Sequence, residues 1–188
     1  MELKRALRRT AAAVACFLAV TAAAVAEEFQ TAVAQAQSAY EDGRLEEALA
    51  YYNAALEIDD SLPELYYNRG NVYYDLRRYE RASQDYSAAI ARDDGIGPAY
   101  FNRGNARFLL ERYREAIADY DAAIAREGED RETLYNRATS YFRLGDYRNA
   151  INDYRRVIEL DPNHVNAHYN LGLAHVRLAE QLERGAGD

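Results

Sequence analysis

The chain has 188 residues with 23 basic and 31 acidic side chains, so its formal net charge at pH 7 is −8. This charge repels nucleic acid and anionic membrane surfaces, and it favours basic or neutral partners. Cys16 is the only cysteine. Because Cys16 falls in the N-terminal segment described next, the rest of the chain has no disulfide, thiolate nucleophile or cysteine-based metal site.

The N-terminal segment has the pattern of an export signal. Four basic residues, of which Arg9 is the last, precede an unbroken run of small and apolar residues over 10–26. The run ends in Ala24-Val25-Ala26, a small-residue cleavage pattern. We therefore predict a signal peptide over residues 1–26, a mature chain that begins at Glu27, and a periplasmic or secreted location. The alternative is a retained membrane anchor, although the run is slightly short and alanine-rich for a span.

From residue 29 onward the sequence repeats itself every 34 residues without insertion or deletion. Four positions carry the period: an asparagine, a small residue, an alanine and a tyrosine. They are Asn68, Asn102, Asn136 and Asn170; Ala36, Gly70, Gly104, Ala138 and Gly172; Ala48, Ala82, Ala116 and Ala150; and Tyr52, Tyr86, Tyr120 and Tyr154. A period of this length indicates an array of stacked repeats, whose function resides on an extended surface.

Each unit contains two predicted helices, as the fourth unit shows. Apolar residues at helical spacing predict helices over residues 132–144 and 147–160. Gly145 between them suits a left-handed turn, and Pro162 stops the second helix. The small residue and the alanine are expected at the helix crossing, where they let the backbones approach. The repeated tyrosine would then fill the space beside them.

These positions resemble the tetratricopeptide repeat (TPR) family, whose pattern combines aromatic, Leu-Gly, Tyr, Ala, aromatic, Ala and Pro positions. The matching residues are Tyr66, Gly70, Tyr73, Ala82, Tyr86, Ala89, Tyr141, Ala150, Tyr154 and Pro162. The resemblance implies an all-α TPR solenoid, a right-handed superhelix of antiparallel helix pairs with a concave face.

The predicted TPR domain covers residues 27–184 with about four and a half repeats. The repeats are 29–62, 63–96, 97–130 and 131–164, followed by a capping helix over 165–184 and a disordered tail over 185–188. A terminal cap needs a polar outer side to stay soluble. We expect Arg177, Glu180, Gln181 and Arg184 to form it.

Three units depart from the family pattern in the same way. An arginine replaces the leucine before the small residue, and an aspartate precedes the repeated tyrosine. The pairs are Arg69 with Asp85, Arg103 with Asp119, and Arg137 with Asp153. The first unit has Gln35 and Tyr51 instead. Because the two residues occur together, we predict an ion pair between the two helices of each unit. The competing interpretation is a catalytic arginine.

In the TPR family one face of each first helix lines the concave groove. Here that face carries asparagines with aromatic residues between them. The predicted peptide-binding residues are Asn68, Asn71, Asn102, Asn105, Asn136, Asn170, Tyr67, Tyr74, Phe101, Phe108, Tyr135 and Phe142. Asparagine has a donor and an acceptor, so a row of asparagines can hold an extended peptide backbone. The alternative is that these residues link and pack neighbouring helices. The carboxylate clamp of some TPR co-chaperones is not expected, because it needs lysine where this chain has Tyr67 and Phe101.

The three histidines, His164, His168 and His175, are spaced by four and seven residues, which places them near one helix face. This spacing is compatible with a metal site. However, His168 and His175 stand where other units have tyrosine, so we interpret them as polar substitutes for packing aromatics. We predict no metal and no cofactor.

No glycine-rich phosphate loop, H-E-x-x-H, G-x-S-x-G or cysteine–histidine pair occurs, so an enzyme is not expected. The sequence predicts an exported scaffold or adaptor that binds an extended peptide or a helix of a protein partner in its concave groove. Nucleic acid and small-molecule substrates are not expected, and membrane contact only if residues 1–26 are retained. Two alternatives remain open: a structural subunit of a bacterial envelope assembly bound through its convex face or ends, and a membrane-anchored or catalytic accessory protein.

Overall fold

The computed structural model describes the backbone of residues 2–185 and the side chains of residues 21–185. Within this range the chain forms nine α-helices and no β-strand, as expected for the all-α class. The helices are α1 (Glu2–Glu41), α2 (Leu45–Ile58), α3 (Pro63–Asp75), α4 (Tyr79–Arg92), α5 (Gly97–Leu109), α6 (Tyr113–Glu127), α7 (Arg131–Arg143), α8 (Tyr147–Leu160) and α9 (Val165–Gly185).

Helix α1 continues through the predicted cleavage site after Ala26. Most of the predicted signal peptide consists of residues whose side chains lie outside the described part of the chain, so its cleavage stays a prediction. Gly185 is the last residue of α9, and residues 186–188 of the predicted tail lie outside the described residues. In the described part, none of the helices combines the length and the apolar character that crossing a bilayer would require.

The chain divides into two compact units, residues 1–65 and residues 66–188. In the first unit α1 packs against α2. Small side chains let the two helices approach, and Tyr52 fills the space beside them. The buried residues of this pair are Ala32, Ala36, Ala39, Ala48, Leu49, Tyr52 and Ala55.

In the second unit α5 packs with α6, α7 with α8, and each pair contacts the first helix of the next. The repeated tyrosines Tyr86, Tyr120 and Tyr154 are fully buried. A Cβ atom on Gly70 would lie 2.8 Å from Cε1 of Tyr86, and one on Gly104 would lie 2.7 Å from Cε1 of Tyr120. The predicted role of the small residue, close approach beneath the tyrosine ring, is therefore confirmed at these two crossings.

The turns inside the helix pairs use one left-handed residue each. Gly145 has φ 78°, as the sequence predicts, and the same position in other units has φ 74° at Gly43, 57° at Arg77 and 60° at Glu111. Arginine and glutamate adopt this conformation at a cost that glycine avoids. Helix α8 has the predicted bounds, whereas α7 begins and ends one residue earlier than predicted.

The predicted interhelical ion pairs are confirmed in all three repeats that carry the arginine and the aspartate. Arg69 Nε lies 2.7 Å from Asp85 Oδ2, Arg103 Nη2 lies 2.7 Å from Asp119 Oδ1, and Arg137 Nε lies 2.7 Å from Asp153 Oδ2. Each aspartate is buried. These arginines are thus held inside the helix pairs as structural links.

Arg137 and Arg103 also make hydrogen bonds outside their ion pairs. Arg137 Nη1 also donates to Asp121 Oδ1 at 2.6 Å. Burial by itself would lower the pKa of Arg137, but its hydrogen bonds to Asp153 and Asp121 raise the pKa above its ordinary value. Arg103 Nη1 donates to the hydroxyl of Ser87 at 3.1 Å, which ties α5 to α4 of the preceding pair.

Candidate peptide-binding groove

The repeated asparagines connect neighbouring first helices. Asn102 Nδ2 on α5 donates to Tyr67 Oη at 3.2 Å and to Asn71 Oδ1 at 3.1 Å, both on α3. Asn136 Nδ2 on α7 donates to Asn105 Oδ1 on α5 at 3.0 Å. The amide donors of the row are thus used within the protein, which supports the linking role. The amide oxygens of Asn102 and Asn136 have no hydrogen bond among the described residues and remain free to accept one from a ligand.

The same link recurs at the end of the array. Asn170 Nδ2 on α9 donates to Tyr135 Oη on α7 at 2.9 Å. In the preceding repeats the buried tyrosines also bind this network, since Tyr86 Oη donates to Asn71 Oδ1 and Tyr120 Oη to Asn105 Oδ1, both at 2.8 Å. The face of the first helices is therefore tied by hydrogen bonds to the core beneath it.

The aromatic residues of the row are fixed by stacking on the second helices. Their rings pack at centroid distances of 5.3–6.1 Å, and each remains partly exposed. The contacts join Tyr67 to Tyr86, Tyr74 to Tyr79, Phe101 to Tyr120, Phe108 to Tyr113, Tyr135 to Tyr154 and Phe142 to Tyr147. One side of each ring packs against the second helix, and the rest of the ring contributes apolar surface to the exposed face of the first helices.

A cavity of about 280 Å³ opens where three first helices converge. Its lining residues are Tyr74 of α3; Asn105, Phe108 and Leu109 of α5; Tyr120 of α6; and Glu132, Tyr135, Asn136 and Thr139 of α7. Because α3 and α7 both contribute side chains to one cavity across α5, the surface formed by the three helices is concave there. We call this surface the groove and the cavity the central pocket.

The central pocket unites five of the twelve predicted residues: Tyr74, Asn105, Phe108, Tyr135 and Asn136. Phe101 lines a neighbouring cavity. The other six do not line the pocket, and they are Asn68, Asn71, Asn102, Asn170, Tyr67 and Phe142. The predicted set missed the other four lining residues, which are Leu109, Tyr120, Glu132 and Thr139. Glu132 precedes Asn136 by four residues, which places both on one helix face and is a signal that the sequence contained.

The three histidines do not line the central pocket, although the ring of His164 packs 5.0 Å from that of Tyr135, which does. His164 Nδ1 accepts from the backbone N–H of Ala167 at 3.1 Å and so caps α9. The prediction that His168 and His175 replace packing aromatics is wrong, because both are exposed. Their counterparts in complete pairs are covered by a second helix, and the described residues contain no helix after α9. Among the described side chains, no three potential metal ligands come together.

The predicted polar outer side of the capping helix is only part of its exposed surface. Apolar residues also face outward on α9, with Val165 77%, Tyr169 71% and Val176 54% exposed. A Cβ on Gly172 would meet no atom within 4 Å, unlike the equivalent glycines beneath Tyr86 and Tyr120. At Tyr169, Gly172 and Val176 this apolar surface, which we call the α9 face, corresponds to the side of α7 that α8 covers.

The buried tyrosines make stability depend on pH in the alkaline range. Burial raises the pKa of Tyr154 to about 12 and also raises the pKa values of Tyr52 and Tyr120. An unfolded tyrosine titrates near pH 10. The stabilisation is therefore complete below about pH 10 and is lost as pH rises toward 12, by up to about 1.4 kcal/mol per pH unit for each buried tyrosine.

We expect Tyr154→Phe to make this alkaline loss shallower, which urea unfolding at pH 8, 10 and 11 measures. Lysine also titrates in this pH range, and the chain suits the test because Lys4 is its only lysine. Equal slopes for the wild type and the variant would contradict the assignment.

Comparison with known proteins gives matches to family profiles and to solved structures. The profile described as "Tetratricopeptide repeat" matches residues 63–95 and 97–130, and the profile described as "TPR repeat" matches residues 36–77 and 138–178. A search of curated protein sequences gave no match.

Solved structures share the fold. The MamA protein superimposes with a TM-score of 0.79 at 22% identity over 84% of this chain and 86% of that one. YrrB, described as a TPR protein with an unusual peptide-binding site, gives 0.71 at 26% identity over 79% and 82%. The TPR domain of Arabidopsis OM64 gives 0.58 at 26% identity over 61% and 94%. The likeness to MamA is one of fold alone.

Proposed function

The chain belongs to the tetratricopeptide repeat family, and we propose that it is an exported scaffold that holds a segment of a partner protein in its groove. Its fold is the TPR solenoid expected from the sequence. Export is the part of the proposal that rests on residues 1–26 alone. The binding role rests on the central pocket, where a concave, preformed surface of aromatic and amide groups meets the solvent.

The polar groups of the pocket suit an extended peptide. Asn105 Oδ1 already accepts two hydrogen bonds, but Asn105 Nδ2 and Asn136 Oδ1 have no partner among the described residues. One donor and one acceptor of fixed position can pair with the C=O and N–H of a peptide backbone. The unusual peptide-binding site of YrrB, a TPR protein with 26% identity to this chain, is consistent with this use of the fold.

The aromatic residues offer a matched test of the groove. Phe108 and Phe142 occupy the same position in successive repeats and stack on Tyr113 and Tyr147 at 5.4 and 5.3 Å, but only Phe108 lines the central pocket. We expect Phe108→Ala to weaken capture of the partner at least about tenfold, equivalent to about 1.4 kcal/mol. Phe142→Ala should lose similar stability and keep binding. Affinity capture from an extract of the source cells, with partner bands quantified for each variant, measures both.

The α9 face favours a second candidate, in which the chain is a subunit bound through its end. In the third pair of the unit, Tyr135, Ala138 and Phe142 of α7 are covered by α8 through Tyr154 and Tyr147. Residues at the same three positions of α9 are left uncovered. The partner would supply a helix with the Ala-x-x-x-Tyr spacing of α8.

The same capture experiment separates the two candidates. If Phe108→Ala and Phe142→Ala both retain the partner and a Tyr169→Ser, Val176→Ser variant loses it, the chain binds through the α9 face. The groove proposal is then rejected.

A further inference from the structure

Two cavities meet at one glutamate. The central pocket adjoins a second cavity of about 240 Å³, and Glu132 lines both. The second cavity is lined by Gly97, Pro98, Phe101, Ala123, Glu127, Asp130, Glu132 and Thr133. Neither lining contains a lysine, arginine or histidine, although the chain has 23 lysine and arginine residues. The charged residues in the two linings, Glu127, Asp130 and Glu132, are all acidic.

Two of the three carboxylates are available to a ligand. Asp130 Oδ1 accepts the backbone N–H groups of Glu132 and Thr133 at 2.9 and 3.0 Å, so it is engaged as the cap of α7. Among the described residues, neither Glu127 nor Glu132 has a side-chain hydrogen bond or ion pair. The negative charge on this part of the groove is therefore uncompensated.

The arginines of the interhelical ion pairs do not neutralise this charge. Arg103 and Arg137 are held by Asp119 and Asp153 inside their helix pairs. The negative charge of Glu132 also acts on Tyr74 of α3, another residue that lines the pocket. Burial chiefly raises the pKa of Tyr74, and the charge of Glu132 is among the smaller causes of the rise.

The walls of the central pocket are aromatic and fixed in place. Tyr74 and Phe108 each stack edge-on against a neighbouring ring at 5.4 Å, and Tyr135 packs at 5.8 Å from Tyr154. A cation placed over such a ring is attracted by its negative face. This fold already uses that contact, because the guanidinium of Arg126 lies 4.2 Å from the ring centre of Tyr100.

We propose that the central pocket binds an arginine side chain of the peptide held in the groove, with Glu132 as its carboxylate partner. The inference rests on the proposed function, since it assigns the side chain that the groove selects. Arginine is preferred to lysine because its planar guanidinium can donate two parallel hydrogen bonds to a carboxylate while stacking on an aromatic ring. The net charge of −8 adds a general attraction for basic segments.

The repeat supplies a matched control for Glu132. Glu64 occupies the same position two repeats earlier, and neither of the two cavities includes it. Glu132→Gln and Glu64→Gln therefore remove the same charge from equivalent helix positions. Thermal unfolding of both variants, compared with the wild type, checks that each remains folded.

The probe is a phage-displayed library of random nonapeptides, selected on the immobilised full-length chain. We expect arginine to be enriched at one peptide position with the wild type and with Glu64→Gln, but not with Glu132→Gln. The best peptide and its Arg→Gln version are then measured by fluorescence polarisation. The peptide substitution should weaken binding to the wild type about tenfold and binding to Glu132→Gln less than about twofold.

The outcomes separate the two proposals. Selected peptides without a basic residue, or an arginine preference that Glu132→Gln leaves unchanged, would overturn the arginine pocket and leave groove binding intact. A lysine preference lost in Glu132→Gln would confirm the carboxylate and reject the guanidinium. No enrichment of any peptide would contradict groove binding and the arginine pocket together.

Discussion

Replacing Asp119 with alanine is expected to lower the free energy of unfolding by about 3–5 kcal/mol, the cost of leaving a buried charge without its partner. Asp119 is 2% exposed. Arg103 Nη2 donates to Asp119 Oδ1 and Arg107 Nη1 donates to Asp119 Oδ2, each at 2.7 Å. Its removal therefore leaves Arg103 without a carboxylate partner and Arg107 with only Glu115, whose Oε2 lies 3.4 Å from Arg107 Nε.

Asp121 provides the control for this prediction. Its carboxylate pairs with Arg137 at 2.6 Å, but its side chain is 51% exposed and Arg137 keeps Asp153 when Asp121 is lost. Asp121→Ala should cost less than about 1 kcal/mol. Urea unfolding followed by circular dichroism measures both variants. Similar losses for the two would show that burial does not set the strength of these pairs.

The first repeat shows that two helices can pair without this ion pair. It has Gln35 and Tyr51 in place of the arginine and aspartate, and α1 still packs against α2. Replacing both partners of a buried ion pair with groups that pack well is often nearly neutral. The large loss expected for Asp119→Ala thus measures an uncompensated charge and not the net contribution of the pair.

The second large effect is expected at Gly104, where valine should lower the free energy of unfolding by about 3 kcal/mol, at the upper end of the usual range for an overpacked core. A Cβ at this position would lie 2.7 Å from Cε1 of Tyr120, well inside van der Waals contact. Tyr120 is 1% exposed and its hydroxyl is held by Asn105. The ring therefore has little room to move.

Gly172 is the same repeat position on α9, where a Cβ would have open space within 4 Å. Gly172→Val should change stability by less than about 0.5 kcal/mol, because valine and glycine differ little in helix propensity. Thermal and urea unfolding of both variants tests the comparison. A loss at Gly172 equal to that at Gly104 would mean that α9 is covered in solution, as binding through the α9 face requires.

The helices and their pairing were predictable from the sequence because they depend on local pattern. Gly145, Pro162 and the apolar spacing between them set the bounds of α8 to the residue. The arginine and aspartate of each pair were assigned correctly because their shared occurrence in three units, and shared absence in the first, is visible in a single chain. Local conformational preference and internal repetition carried this information.

The pocket was not predictable from the sequence, because it depends on the rotation between successive helix pairs, which accumulates over several repeats. Tyr74 and Glu132 lie two repeats apart, and they line one cavity only because α3, α5 and α7 curve toward each other. A small change in the rotation per repeat would separate them, and no spacing rule in the sequence encodes that rotation. The same holds for Asn102 and Asn136, whose Nδ2 donors reach the first helix of the preceding repeat at about 3 Å only in the packed array.

The exposed surface of α9 shows the same division. The amino-acid pattern specified a helix with tyrosine, glycine and valine at the positions used for pairing in the other repeats. Only the tertiary structure shows that these positions are left uncovered in the described chain. A sequence determines which faces of a helix are apolar through the period of its residues, whereas burial depends on whether a neighbouring helix is present to cover them.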